Sequence, residues 1–337
     1  HPRDLVSLRS LRALLASMED WRGALDLVES EIELLPPGDV TGRRTLWIEA
    51  AGIAADRVRD PERAIRALEA AHALAPLGVA ERRARSTLLH RSGDLARYVE
   101  VTEALFAQSP PEDAGDWLRL GHACLELHRL ESARLHAKQA VLASPAREAA
   151  WELLAEVELA QGRASEAAES LLRAAEVSGP ARAVARLLRA ARIVAEADAE
   201  FAHGLCEAAC ARDAGSAGAW LARARSAAGL GRREEAETSA VRAVELAAAW
   251  PSAVEREPVL EVGLAAAASA RTDGRLERAA RLLAALRAFA PQSGEVLHGQ
   301  ALVLRALGDA AGALRAAEAL VAIDDALKFG SRSSKAR

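Results

Sequence analysis

The sequence predicts an all-α fold built from repeated helix pairs, and three observations support this prediction. A Trp-x-x-Leu-Gly/Ala pattern begins at Trp117 and again 34 residues later at Trp151. Apolar residues make up 51% of the chain but aromatic residues only 3%, and a core rich in alanine and leucine favours closely packed helices over strands. Glycine and proline recur where successive helices would have to end.

The two copies of the pattern share more than their first residues. Small residues follow each tryptophan, and a proline stands near the end of each copy, at Pro145 and Pro180. This pattern resembles the tetratricopeptide repeat (TPR) family, whose unit is a helix–turn–helix of 34 residues. The resemblance implies an α-solenoid of antiparallel helix pairs that winds into a right-handed superhelix, with the first helix of each repeat lining a concave groove.

Carrying the 34-residue spacing in both directions predicts a TPR-like solenoid over residues 5–327. Neither helix of a repeat can bury its apolar stripe alone, so neighbouring repeats must stack. The tail at 328–337 lacks apolar periodicity and is expected to be a disordered polar segment. The nine predicted repeats are 5–38, 45–78, 79–112, 114–147, 148–181, 183–216, 217–250, 260–293 and 294–327.

Two insertions interrupt the period, at 39–44 and at 251–259. Surface connections accept added residues at a small entropic cost. Each insertion is therefore expected to be a surface loop or an extra helical turn.

Small residues recur at one position of each helix, because neighbouring helices approach closely there. In the first helices this position holds Gly52, Ser86, Gly121, Ala155, Ala190, Ala224, Ala267 and Ala301. In the second helices it holds Ala24, Ala64, Ala133, Ala167, Ala202, Ala236, Ala279 and Ala313. The exceptions are Arg12 and Tyr98. A phenol does not fit a close helix contact, so either the helices around Tyr98 splay apart or its side chain turns outward.

Helix ends are marked by two further sets of residues. A glycine with a left-handed backbone is predicted to end several first helices, and a proline to follow several second helices. The glycines are Gly93, Gly162, Gly231, Gly274 and Gly308. The prolines are Pro36, Pro76, Pro110, Pro145 and Pro291.

Composition narrows the classes of function. The net charge is −4, with no broad basic field, so nucleic acid is not an expected partner. No charge-free apolar run is long enough for a membrane span.

Three cysteines do not make a disulfide framework, which indicates a reducing, cytoplasmic compartment. The absence of asparagine and the scarcity of lysine indicate a GC-rich coding bias. We expect the source of the protein to be bacterial. The chain begins with His1 rather than Met, so we expect it to be one region of a larger protein.

No motif for catalysis or for a cofactor occurs, so the sequence predicts no enzyme, no catalytic residue and no cofactor. Two groups of possible metal ligands are present. They are His203, Cys206 and Cys210, and His122, Cys124, His128 and His136. The first group shares one helix face but lacks a paired motif, and the second does not share a face. Core packing is the favoured interpretation of both, and no metal site is predicted.

The TPR resemblance places ligand-facing residues at the second, fifth, ninth and twelfth positions of each repeat. In the middle of the chain these positions are mostly apolar, and they hold Leu118, Leu125, Leu159, Val184, Leu187, Val194, Leu221 and Arg225. Towards the two ends they are charged or polar, and they hold Glu49, Asp56, Arg83, His90, Arg271, Glu295, His298 and Arg305. We expect the apolar residues to form an open strip that a partner segment covers, although self-packing within the superhelix is an alternative.

The predicted function is therefore a protein–protein interaction scaffold that binds a helical or extended segment of a partner in its groove. One alternative is a regulatory or sensing arm that controls a catalytic domain of the same chain or complex. An RNA-binding helical repeat is a third hypothesis, but such repeats use a basic groove and polar code positions. The acidic balance of this chain argues against it.

Overall fold

The computed structural model describes residues 5–247 and 257–334, with side chains to residue 323. These residues form eighteen α-helices and one π-helical turn, and no strand occurs among them. The all-α prediction is confirmed. The helices are α1 (Leu5–Ser17), α2 (Trp21–Leu34), α3 (Val40–Gly52), α4 (Pro61–Leu74), α5 (Val79–Ser92), α6 (Leu95–Gln108), α7 (Ala114–Glu126), α8 (Leu130–Ala143), α9 (Glu148–Ala160), α10 (Ala164–Glu176), α11 (Pro180–Val194), α12 (Ala199–Arg212), α13 (Ala217–Gly229), α14 (Arg233–Ala247), α15 (Glu257–Thr272), α16 (Leu276–Phe289), α17 (Gly294–Ala306) and α18 (Ala310–Ser334).

The turn between paired helices uses a left-handed residue in eight of the nine described pairs. All five predicted glycines adopt φ between 74° and 82°, a conformation that glycine reaches without a Cβ clash. In the remaining three turns the left-handed residue is Glu19, Arg59 or His128, with φ between 55° and 60°. The chain therefore reverses by the same local geometry in nearly every repeat.

The second helices begin and end by recurrent chemistry. The carboxylate of Asp60 accepts a hydrogen bond from the backbone N–H of Arg63 at 2.9 Å, which caps α4. Asp20, Asp94 and Asp198 cap α2, α6 and α12 in the same way. Each of the five predicted prolines stands two residues after the last residue of a second helix. Proline lacks the N–H that another helical turn would need.

The first helix of the second repeat departs from the predicted register. Gly52, predicted at a close helix contact, is exposed, and a Cβ built on it would meet no atom within 4 Å. Ala51 is buried instead. Trp47 then precedes the small residue by four positions, as Trp117 precedes Gly121. The close contact therefore falls one residue earlier than predicted.

A π-helical turn at Ile53–Val58 absorbs the additional residue before Ala64 returns to the fully buried small position of α4. The insertion at 39–44 is helical from Val40 onwards and lengthens α3 at its start. Asp39 caps it by accepting a hydrogen bond from the N–H of Gly42 at 2.8 Å. Of the two expected forms, this insertion takes the extra helical turn.

Tyr98 lies inside the third repeat and does not turn outward. Its side chain is 3% exposed, and its ring meets the His90 ring edge-on at 4.9 Å between centroids. Beside it, the hydroxyls of Ser86 and Thr102 share a buried hydrogen bond of 2.6 Å. Helices α5 and α6 pack less closely than the two helices of any other described repeat. The helices therefore splay to admit the phenol, the first of the two predicted outcomes.

The last helix is longer than predicted. α18 continues to Ser334, so residues 328–334 are helical, where a disordered tail was expected. Gly330 is the only strong helix breaker in this stretch, and a single glycine costs only about 1 kcal/mol inside an established helix. Residues 248–256 and 335–337 lie outside the described residues, and with them most of the second insertion (251–256 of 251–259).

The chain divides into two compact bodies, which we call the N-terminal body (His1–Pro145) and the C-terminal body (Ala146–Arg337). Fully buried leucines such as Leu25, Leu89 and Leu120 fill the N-terminal body. In the C-terminal body the buried residues form two clusters, one running from Ala155 to Ala219 and the other from Ala217 to Val303. Among the helices described, none is long and apolar enough to cross a bilayer.

Candidate functional site

The face that α7 leaves open is rotated from the predicted one. On α7 the exposed residues include Arg119, His122 and Glu126, which stand at the sixth, ninth and thirteenth positions of the repeat. Leu118, at the fifth position, is buried. On α7 the predicted fifth position therefore points towards the neighbouring helices, because this helix rotates to bury its widest apolar stripe.

The central apolar residues do not form an open strip. Five of them are at most 8% exposed: Leu118, Val184, Leu187, Val194 and Leu221. Leu187 and Val194 belong to the first core cluster of the C-terminal body. Leu125 and Leu159 are only half-buried. The expectation of an open apolar strip is wrong for these five residues, because burial against helices of the same chain removes more apolar area from water.

The charged and polar residues predicted for the two ends are all exposed. In the N-terminal body these are Glu49, Asp56, Arg83 and His90. In the C-terminal body they are Arg271, Glu295, His298 and Arg305. Glu49 forms an ion pair with Arg12 at 2.8 Å. Exposure makes these side chains accessible, and their part in binding stays a prediction.

A cavity of about 590 Å³ opens between α11, α12 and α13 in the C-terminal body. Ligand pockets commonly span about 300–1,000 Å³. Seven of its thirteen lining residues are alanine or glycine, so short side chains leave the space. Among the predicted groove residues, Leu221 and Arg225 line it. Leu188, Arg192 and Ala222 also line it, and the predicted positions did not include them.

The rim of this cavity carries positive charge. Arg192 and Arg225 line it, and none of the lining residues is acidic. Arg225 is half-exposed and pairs with Glu261 of α15 at 3.4 Å. A second cavity of about 430 Å³ lies between α13, α14 and α15 and shares Arg225 with the first. The two cavities therefore flank α13 and meet at one guanidinium group.

The floor of the larger cavity is neutral. The Ser226 hydroxyl donates to the carbonyl of Arg223 at 3.0 Å and lies 2.8 Å from Nδ1 of His203. The Cys206 side chain is buried, and burial raises the pKa of its thiol. The thiol therefore stays protonated near neutral pH and is a poor nucleophile. The cavity offers an apolar floor and a cationic rim, which suits binding rather than chemistry.

Comparison with known proteins bears on the fold. No family model and no curated protein matches the chain. Among solved structures, Naa15/Naa10 bound to HypK-THB matches with a TM-score of 0.51 at 14% identity, covering 96% of this chain and 59% of that chain. The chain has a tetratricopeptide-repeat fold.

Two shorter TPR structures also match. The C-terminal part of a TPR repeat-containing protein from Cytophaga hutchinsonii matches with a TM-score of 0.46 at 12% identity, covering 75% of this chain and 98% of that one. YrrB, a TPR protein with an unusual peptide-binding site, matches with a TM-score of 0.40 at 15% identity, covering 53% and 88%.

Trp117 and Trp220 stand at the same position of their repeats, and both indoles donate a hydrogen bond to the preceding link. The indole N–H of Trp117 donates to the carbonyl of Pro111 at 3.3 Å, and that of Trp220 donates to the carbonyl of Ala214 at 2.9 Å. In both cases the acceptor lies six residues earlier, in the link before the first helix. Each ring is half-buried. Each indole therefore ties the start of its first helix to the link before it.

Two groups of side chains within the described TPR repeats bring metal-ligand atoms within 4.8 Å of one another. One joins His203, Glu207 and Glu235, but Arg223 contacts both carboxylates and already supplies a cation there. The other is Glu103, Cys124 and His136. It contains Cys124 and His136, for which core packing was the favoured interpretation, and adds Glu103 from the preceding repeat.

The two other histidines that were considered with them, His122 and His128, are exposed. His128 holds the left-handed turn between α7 and α8. Neither belongs to the three-residue group. Cys206 and Cys210, for which core packing was expected, are buried free thiols in the core cluster around α12.

Proposed function

We propose that this chain is a protein-interaction scaffold whose principal contact is the cavity between α11, α12 and α13. The cavity carries the proposal because it combines an apolar floor with two arginines at its rim. Of the proposed groove, Leu221 and Arg225 are retained, and Leu188, Arg192 and Ala222 are added. The partner is a protein or peptide segment, as in the Naa15/Naa10 structure, which contains bound HypK-THB.

The chemistry of the cavity defines the segment. A bulky apolar side chain fills the space left by alanine and glycine, and its burial contributes about 1.5–3 kcal/mol. A carboxylate beside it pairs with Arg192 or Arg225, which adds orientation and faster association more than affinity. We therefore infer a helical or extended partner segment with an apolar anchor next to an acidic residue. The partner is a separate protein or, as the alternative, a domain of a longer chain that this region regulates.

A cytoplasmic location and a bacterial source remain part of this proposal. The three cysteines, Cys124, Cys206 and Cys210, are free and buried, which supports a reducing compartment. The proposal assigns no catalysis, nucleic-acid binding or membrane binding to the chain.

Selection from a displayed library of random peptides tests the cavity. Gly229 lines it, and a Cβ built there would meet no atom within 4 Å. Gly229→Leu should therefore fill the cavity without straining α13 and weaken selected peptides at least tenfold, or about 1.4 kcal/mol. Gly204→Leu is the matched control, because Gly204 on α12 also has open space around it but does not line the cavity.

The preference for an acidic residue beside the apolar anchor is tested separately. Arg225→Glu should shift the selected peptides from acidic to basic residues beside the apolar anchor. Selection of no common motif, or equal peptide binding by the Gly229→Leu and Gly204→Leu variants, would reject the cavity as the binding site.

A further inference from the structure

The group formed by Glu103, Cys124 and His136 joins three helices of the N-terminal body. Glu103 comes from α6, Cys124 from α7 and His136 from α8. His136 Nε2 lies 2.9 Å from a Glu103 carboxylate oxygen, and the ligand atoms of all three residues lie within 4.8 Å of one another. The donors thus come from two successive repeats, 33 residues apart for Glu103 and His136.

Burial and ring packing hold two of these donors in place. Cys124 is 0% exposed and His136 is 5% exposed. The His136 ring stacks on the Trp117 ring at 5.7 Å between centroids. The Phe106 ring meets the same Trp117 ring edge-on at 4.8 Å between centroids. The Glu103 side chain is about one-third exposed. The group therefore has a fixed inner wall and one flexible carboxylate on the solvent side.

An ion pair between His136 and Glu103 leaves part of this arrangement unexplained. Nδ1 of His136 is buried and has no hydrogen-bond partner. A thiol also stands beside the pair although neither an acid nor an imidazole needs it. Buried polar atoms are nearly always satisfied, so the contact with Glu103 does not account for the whole imidazole. In the comparable group around His203 both ring nitrogens have partners and Arg223 supplies the positive charge.

From this geometry we propose that Glu103, Cys124 and His136 bind one zinc ion. A thiolate, an imidazole nitrogen and a carboxylate are the three donor types that zinc takes in proteins. One thiolate and one carboxylate balance the two positive charges of the ion. Zinc bonds of about 2.0–2.3 Å place tetrahedral donors roughly 3.3–3.8 Å apart, so a small movement of the flexible Glu103 completes the site. Water reaches the fourth position from the side where Glu103 is exposed.

Binding replaces the S–H bond of Cys124 with a sulfur–zinc bond, and the proton goes to solvent.

A zinc ion at this site would link α6 to α7 and α8 in the N-terminal body. Of the consecutive helices in the N-terminal body, α6 and α7 make the least contact. An ion held by Glu103 on one side and by Cys124 and His136 on the other joins them directly. Because zinc would bind the folded chain in preference to the unfolded one, it should raise the melting temperature.

Titration of the untagged, metal-free chain with Co²⁺ and then Zn²⁺ tests the proposal. We expect one Co²⁺ per chain with a thiolate-to-cobalt charge-transfer band, and Zn²⁺ should displace it. Cys124→Ser and His136→Gln should remove the band, and Glu103→Gln should weaken binding. Glu207→Gln is the matched control from the second group and should leave the titration unchanged.

The chain has three cysteines, so a variant with Cys206→Ala and Cys210→Ala has Cys124 as its only thiol. The band should persist in this variant, which keeps the test decisive even if Cys124→Ser does not fold. Absence of the band from the unmodified chain, or its loss in the double variant, would overturn the site. A melting temperature that Zn²⁺ raises equally in Cys124→Ser would do the same.

Discussion

Tyr98 occupies a position where the eight other repeats have alanine. The phenol lies beside a cavity of about 480 Å³ that Arg83, His90 and Arg119 also line. Burial raises its pKa to about 12, and neighbouring Arg119 opposes part of that rise. The unperturbed value is about 10. The folded protein therefore holds the phenol proton over a pH range in which the unfolded chain releases it.

The raised pKa of Tyr98 should lower the free energy of unfolding at high pH. Between pH 10 and pH 12 the unfolded chain binds fewer protons than the folded chain, so the free energy of unfolding must fall as pH rises. Tyr98→Phe removes the titrating group. The difference in unfolding free energy between the original chain and this variant should be constant below pH 10 and should shift against tyrosine above it.

Tyr98 is the only tyrosine, so ultraviolet titration of the phenol reports on it alone. The folded chain should show a midpoint near 12, and the denatured chain a midpoint near 10. A folded-state midpoint at 10 would show that the phenol reaches solvent.

Single residues also show what the sequence could and could not predict. The left-handed turns at Gly93 and Gly162 were predictable, because their φ values favour a residue without Cβ. The equivalent turn at His128 was not, since no local preference demands a histidine there. Glu103 was missed as a partner of His136 because it lies a whole repeat away, and only the stacking of repeats brings the two together.

At the scale of helices, the close approach between α15 and α16 depends on Gly263. A Cβ built on this residue would lie 2.7 Å from Cδ2 of Leu286, which is 0% exposed. Gly263→Ala should therefore destabilise the protein by about 1–3 kcal/mol, as overpacking does. Gly52→Ala, where a Cβ meets nothing within 4 Å, should stabilise it by about 0.5–1 kcal/mol through helix propensity.

Thermal unfolding of the two glycine variants gives the comparison. We expect a lower melting temperature for Gly263→Ala and a higher one for Gly52→Ala. An increase for both would mean that α15 and α16 separate more easily than their contact at Leu286 indicates.

Helix rotation and local insertions limit prediction at this scale. The 34-residue spacing located the helices and their turns, because periodicity and helix-ending residues are local signals. It misplaced the first helix of the second repeat by one residue, since a π-helical turn at Ile53–Val58 has no clear sequence signal. It also assigned Leu187 to an open face, and the residue is buried. The rotation of a helix about its axis is decided by its neighbours and not by its own sequence.

At the scale of the whole molecule, a chain of stacked repeats should not unfold like a protein with a single core. The two core clusters of the C-terminal body both reach α13, where Trp220 packs against each of them. Stability in such an arrangement is a sum of local terms, so damage to one cluster should remain near its origin. This expectation separates the TPR fold from a compact domain of similar size.

Leu171 and Leu282 allow this locality to be measured, because each is at most 1% exposed and they lie in different clusters. Replacing either leucine by alanine should cost about 2–5 kcal/mol. Under native conditions, Leu282→Ala should accelerate amide hydrogen exchange mainly in α15–α17 and leave α9–α11 protected. Leu171→Ala should give the reverse pattern. If either substitution speeds exchange equally in all of these helices, the C-terminal body unfolds as one cooperative unit, and the additive description of its repeats is wrong.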